Sequence, residues 1–177
     1  MNHIIVKVII LKVLFSDGLM EELEEIVRLL KDASTRLAEE LRDEFLGLAL
    51  FGSWARGEAD EKSDVDVLVV LRSIGGFDVR GRIYGILSGK VRKPLTLIDI
   101  RVDEVLDKEY EVTPLMLNIL YDAVVIYDPQ DILRKLIEDC RVLINKANLE
   151  RYRLPDGKYG WRRIDGKPIA LYSVSNE

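Results

Sequence analysis

Residues 48–71 read LALFGSWARGEADEKSDVDVLVVL, and they decide the fold. The apolar run Leu48, Ala49, Leu50, Phe51 has the length and composition of a buried strand. It stops at Gly52-Ser53, where a small-residue turn or helix start continues through Gly57. The chain then becomes polar until Ser63-Asp64-Val65-Asp66, which leads into the apolar Val67 to Leu71. The order is strand, tight turn, then a second strand that begins with two acids.

Outward from this stretch, the rest of the chain alternates helical and extended patterns. Residues 19–44 place Leu23, Ile26, Val27, Leu30, Ala33, Leu37, Ala38 and Leu41 at helical spacing, with a possible break at Ser34-Thr35. A glycine-weakened helix is expected over 77–87, and a strand over 94–102 that carries Asp99 inside an apolar run. Residues 103–112 are acidic and irregular. Thr113-Pro114 forms an N-cap with proline at the first helical position. A helix to Tyr121, a strand over 123–127 and a second long helix over 131–149 complete the pattern, with Cys140 in its core face. At the end, Asp165-Gly166 reads as the two-residue turn of a hairpin between 159–164 and 167–172. The expected organisation is an N-terminal strand or extension over 1–19, a central domain over 20–150 and a basic hairpin over 151–177. Met20 opens the cleaner helix, so residues 1–19 can also lie upstream of the natural start.

Composition narrows the functional classes. The chain has 177 residues, a net charge of −5 and 48% hydrophobic residues, which suits one globular domain with a substantial core. An acidic chain does not attract a polyanion globally, so nucleic-acid binding is disfavoured; the local set Arg151, Arg153, Lys158, Arg162, Arg163 and Lys167, with aromatic residues between, leaves it open for the hairpin alone. The apolar residues 1–15 are broken by Lys7 and Lys12 and are too short for a membrane span. A single cysteine excludes an intrachain disulfide and a multi-cysteine zinc site, and points to a reducing, cytoplasmic compartment.

Asp64 and Asp66 carry the chemistry. Two apart on a strand, their carboxylates share a face, where at about 4 Å they repel by about 4 kcal/mol at an effective dielectric near 20. A cation between them relieves this, and hard oxygen ligands without nearby histidine or cysteine favour Mg2+ or Mn2+ over zinc. If the strand carrying Asp99 is a neighbour, it completes a three-acid cluster able to hold two metal ions. Gly52 admits close backbone approach to a ligand, and Ser53 offers a hydroxyl and an amide at a helix start, where anions are favoured.

Gly52-Ser53-Trp54-Ala55-Arg56-Gly57 followed by Ser63-Asp64-Val65-Asp66 resembles the signature of the DNA polymerase beta superfamily of nucleotidyltransferases, in particular its minimal (MNT) and kanamycin-nucleotidyltransferase-like members. The resemblance is specific over 48–71 and extends to Asp99. It implies an α/β (α+β) fold with a mixed sheet, helices on one face, and here an additional C-terminal hairpin. It implies Gly52 and Ser53 at the phosphates of ATP or another nucleoside triphosphate, and Asp64, Asp66 and Asp99 as metal ligands and catalytic acids. Arg56 would aid phosphate binding or pair with Glu58. The expected activity is transfer of a nucleoside monophosphate, AMP in the first instance, to a hydroxyl of a protein or small molecule with release of pyrophosphate. The competing expectation is an antitoxin-like binding module that acts by engaging a separate all-helical HEPN partner. A glycosyltransferase using Asp-x-Asp is a third class, and it gives Gly52-Ser53 no role.

Overall fold

The computed structural model describes residues 17–105 and 112–169. The expectation for residues 1–19 therefore lies almost wholly outside the described residues. Helix α1 (Asp17–Leu41) is continuous through Ser34-Thr35, because both hydroxyls are absorbed by the Lys31 carbonyl oxygen, at 2.7 Å from Ser34 Oγ and 3.3 Å from Thr35 Oγ1. Its buried residues Leu23, Ile26, Leu30, Ala33, Leu37 and Leu41 follow the helical period. A 3-10 turn (Arg42–Glu44) delivers the chain into β1 (Phe45–Phe51), which is buried along its whole length.

Next come the short helix α2 (Gly52–Arg56), β2 (Val65–Leu71), α3 (Phe77–Val91), β3 (Leu95–Arg101) and the single turn α4 (Val102–Val105). Beyond these lie α5 (Pro114–Asp122), β4 (Val124–Tyr127) and α6 (Ile132–Lys146). Thr113 Oγ1 accepts from the Met116 amide at 3.2 Å, as the N-cap reading requires. Asp128 does the same for α6, accepting from the amides of Leu133 (3.1 Å) and Arg134 (3.0 Å).

The four-stranded sheet has the order β3-β2-β1-β4, with β1 antiparallel to both β2 and β4, and β2 parallel to β3 through the α3 crossover. This is the expected mixed α/β architecture. Helices cover both of its faces rather than one. Val65, Val67 and Val69 of β2 pack with α1 and α3. Leu68 and Val70 face the opposite way, into the layer made by α5 and α6. A strand covered on both sides must be apolar at every position, and the uninterrupted FLGLALF of β1 meets that demand. Gly47 allows α6 close to β1, since a Cβ there would lie 2.6 Å from Leu133 Cδ1.

The C-terminal hairpin is present with a different register from the one expected. Strand β5 (Leu149–Arg153) pairs antiparallel with β6 (Tyr159–Arg163), and the turn is Leu154-Pro155-Asp156-Gly157-Lys158. Helix α6 stops at Lys146, short of the expected 149, and Asn148 at φ +50° swings the chain into β5, so Leu149 passes from the expected helix end to the first strand. Gly157 takes the φ of +85° that the turn needs. Asp165-Gly166 is instead a local turn, in which Asp165 bonds Arg163 and the Lys167 amide. Residues 164–169 form no strand, and 170–172 lie outside the described residues. Among the described residues, no helix is long and apolar enough to cross a membrane.

Candidate functional site

The end of the β1–β2 pair brings the two halves of the 48–71 stretch into contact. Phe51, the last residue of β1, is the register partner of Asp66 in β2, so Gly52 leaves the sheet beside that acid. Gly52 has φ +72°, a conformation that an L side chain rarely adopts. A Cβ on it would lie 2.8 Å from Asp66 Cγ and 3.1 Å from Asp66 Cβ, with Oδ2 closer still. Only glycine satisfies both conditions. The backbone that opens α2 therefore runs directly against the Asp66 carboxylate, and the amides of a helix's first turn have no acceptor within their own helix.

Trp54 fixes the loop that joins the halves. It is fully buried, its Nε1 donates to the Ser63 carbonyl at 3.3 Å, and the Lys93 ammonium stands 5.3 Å from its ring centroid. Ser63 and Asp60 bond each other three times: Ser63 Oγ accepts from the Asp60 amide (2.9 Å) and donates to the Asp60 carboxylate (3.0 Å), and the Ser63 amide donates to the Asp60 carbonyl (3.0 Å). The polar link between α2 and β2 is thereby folded back on itself, which holds Asp64 and Asp66 at the mouth of the turn.

Asp64 is exposed at the threshold of β2, and Asp66 is half-buried within it. Burial raises the Asp66 carboxyl above its ordinary value; the Asp64 charge adds to that, while a hydrogen bond from the Thr96 hydroxyl and the Arg56 charge oppose it. A carboxylate in this setting has more to gain from a cation than one in water. The donor set suits a hard divalent ion: two carboxylates, a hydroxyl beside them, and no sulfur or imidazole.

Asp99 does not join them. Its register partner in the parallel β2–β3 ladder is Val69, whereas Asp66 is paired with Thr96. Three residues along a strand amount to about 10 Å, and the odd spacing turns the side chain to the other face. Asp99 lies on the side of Leu97 and Val69, toward α1 and α3, where it forms an ion pair with Arg80 of α3. The expected three-acid cluster is thus corrected to a pair, and among the described residues no group of three metal-ligating side chains comes together. The position beside Asp66 on the neighbouring strand belongs to Thr96, a neutral hydroxyl.

Arg56, at the end of α2, is tied on two sides. Its Nε donates to Glu58 Oε2 and its NH1 to Asp122 Oδ2, each at 2.8 Å. The pairing with Glu58 was one of the two expectations for this residue, and Asp122 was not foreseen. Asp122 is only 5% exposed and also receives both terminal nitrogens of Arg151, at 2.6 and 2.9 Å. A lone acid between the apolar runs LNILY and AVVIY was the available signal for it.

The profile of the family described as "Nucleotidyltransferase domain" matches residues 34–144, well over half of the chain. A protein of Methanocaldococcus jannaschii, named "Putative protein adenylyltransferase MJ0141", is 36% identical over 64 residues, which are 36% of this chain and 65% of that protein. Among solved structures, a complex described as a toxin-antitoxin with AMP-PNP aligns over 66% of this chain and 87% of its own, at 14% identity and a TM-score of 0.48. A structure described as a "putative nucleotidyltransferase from Sulfolobus solfataricus" aligns over 66% of this chain and 92% of its own, at 22% identity and a TM-score of 0.47. The family profile spans β1, the Gly52 turn, the Asp64–Asp66 pair and the strands around them, and the chain belongs to the nucleotidyltransferase domain family.

Proposed function

We propose that this protein transfers AMP from ATP to a hydroxyl group of a protein or small molecule. The observation that carries the reading is the contact between the Gly52 backbone and the Asp66 carboxylate. It sets an anion-binding helix start against a cation-seeking acid pair, the arrangement that a metal-bound triphosphate needs.

In this reading Asp64 and Asp66 would hold a divalent ion, Mg2+ or Mn2+, and the first-turn amides of α2 with the Ser53 hydroxyl would receive the phosphates. Such an ion would supply charge neutralisation to the triphosphate and make the acceptor hydroxyl more acidic. The acceptor oxygen attacks the α-phosphorus, the α–β phosphoanhydride bond breaks, pyrophosphate departs, and the hydroxyl proton passes to water. Arg56, committed to Glu58 and Asp122, contributes its field to Asp66 rather than a direct grip on phosphate. With Thr96 in the place beside Asp66, two carboxylates, Asp64 and Asp66, would hold the ion.

The test is incubation with α-labelled ATP, Mg2+ and an acceptor panel of proteins and small hydroxyl compounds. Label should appear in an acceptor and vanish in Asp64→Ala and Asp66→Ala. Label that persists in both variants would sink the mechanism.

The displacement of Asp99 favours one second reading. A site short of an acid turns over slowly, and a protein that works chiefly by holding a partner tolerates that. Such a partner, on the antitoxin analogy, is a separate helical HEPN protein. Co-purification of a small helical protein in a stoichiometric complex, with binding intact in Asp66→Ala, would favour this version.

A further inference from the structure

Arg151 and Tyr159 lie beyond the residues matched by the family profile, yet they close a ring of polar contacts with the turn that opens at Gly52. Arg151 donates to Asp122, Asp122 accepts from Arg56, Arg56 donates to Glu58, and the Tyr159 hydroxyl donates to Glu58. The Tyr159 ring packs under the guanidinium of Arg151 at 3.9 Å and that of Arg56 at 4.9 Å. Two of the five members come from the β5–β6 hairpin, two from the segment 56–58 at and after the end of α2, and Asp122 from the end of α5.

The hairpin is also attached by contacts outside this ring. Trp161 is 7% exposed and donates to Asn118 Oδ1 at 3.0 Å, Asn118 Nδ2 bonds the Tyr159 carbonyl at 3.0 Å, and Tyr121 meets Trp161 edge-on at 5.3 Å. Desolvated ion pairs contribute little net stability compared with apolar packing of the same volume, whereas they fix geometry well. What this ring fixes is Arg56, whose segment starts at Gly52 and whose charge acts on Asp66.

We propose that the β5–β6 hairpin is a positioning element of the nucleotide site, with Arg151 and Tyr159 holding the 52–58 segment in the form that receives the triphosphate. This rests on the triphosphate reading above. The variants are Tyr159→Phe, which removes one hydroxyl and keeps the ring, and Arg151→Lys, which keeps the charge but loses the two-pronged grip on Asp122.

Two readouts separate the claims. Without nucleotide, hydrogen exchange of the Gly57 and Glu58 amides, both bonded to the Ser53 carbonyl, should accelerate in both variants while the melting temperature stays near that of the unaltered protein. With Mg2+, affinity for α,β-methylene-ATP should fall by about tenfold, the loss of one charge-assisted hydrogen bond's worth of order. Unchanged exchange at 57 and 58, or unchanged affinity beside accelerated exchange, would overturn the positioning role. If the unaltered protein binds no analogue, the triphosphate reading fails instead, and the positioning claim for the nucleotide site falls with it even where exchange accelerates.

Discussion

Replacing Gly52 with alanine probes the site at its narrowest point. The new methyl would force a non-glycine residue to hold φ +72°, which costs about 1–2 kcal/mol. It would also arrive 2.8 Å from Asp66 Cγ and 3.1 Å from Asp66 Cβ. The Cβ belongs to a strand paired on both sides and cannot retreat, so the carboxylate must rotate away, at about 0.5–1.5 kcal/mol for an off-rotamer side chain. Together the two effects come to about 2–3 kcal/mol, or a melting temperature lower by roughly 5–10 °C for a chain of this size. The functional loss should be larger than the loss in stability. A carboxylate displaced by about 1 Å costs on the order of a hundredfold in transfer rate. Gly76→Ala is the control, because Gly76 has φ +96° but open space around its Cβ position, so it pays the backbone strain without disturbing an acid. Thermal melting and AMP-transfer assays on both variants decide the matter. Equal transfer by Gly52→Ala and Gly76→Ala, at equal folded fractions, would refute the proposed contact between turn and acid.

Further outcomes follow from the same geometry. Thr96→Asp should place a third carboxylate beside Asp66, lowering the melting temperature without metal and enlarging the rise produced by Mg2+ or Mn2+; a metal-induced rise no larger than that of the unaltered protein would contradict the register argument. Asp66 sets a pH dependence whose sign can be stated. Because burial raises its folded-state pKa, the folded protein binds that proton more tightly than the unfolded chain, and metal-free stability falls as pH rises from the ordinary carboxylate value through the raised one. Asp66→Asn should remove that fall and melt higher at neutral pH in the absence of metal, as thermal scans across pH would show. Asp99→Asn should leave transfer intact, since Asp99 pairs with Arg80 on the opposite face, and should change stability by about 1 kcal/mol or less, as partly exposed pairs do; a loss of transfer comparable to that of Asp66→Asn would restore Asp99 to the site.

The sequence carried the fold well where apolar runs were long. LALF and VLVVL read as buried strands, and the 3.6-residue period of α1 and α6 was clear from Leu23 to Leu41 and from Leu133 to Ile144, whereas the extension of β1 back to Phe45 was seen only in the structure. It also carried the closeness of Gly52 and Asp66, because one hairpin joins them. What it could not carry was register between strands that are distant in sequence. Whether Thr96 or Asp99 sits beside Asp66 depends on how β3 slides along β2 across the α3 crossover, and a slide of one residue inverts every side chain. The same limit hid Asp122 and Arg151, which meet across the α5–hairpin contact. The misplaced C-terminal turn has a different cause. Asp165-Gly166 and Pro155-Asp156-Gly157 are both good turns locally, and only the pairing of β6 with residues 149–153, which follow directly on α6, selects between them.

Titrating α,β-methylene-ATP into the protein with and without Mg2+ decides whether the Gly52 turn and the Asp64–Asp66 pair form a metal-dependent triphosphate site. Binding should be saturable, require the divalent ion and be lost in Asp64→Asn and in Asp66→Asn while both variants remain folded. Binding that is indifferent to the ion, or that survives in both variants, would rule such a site out.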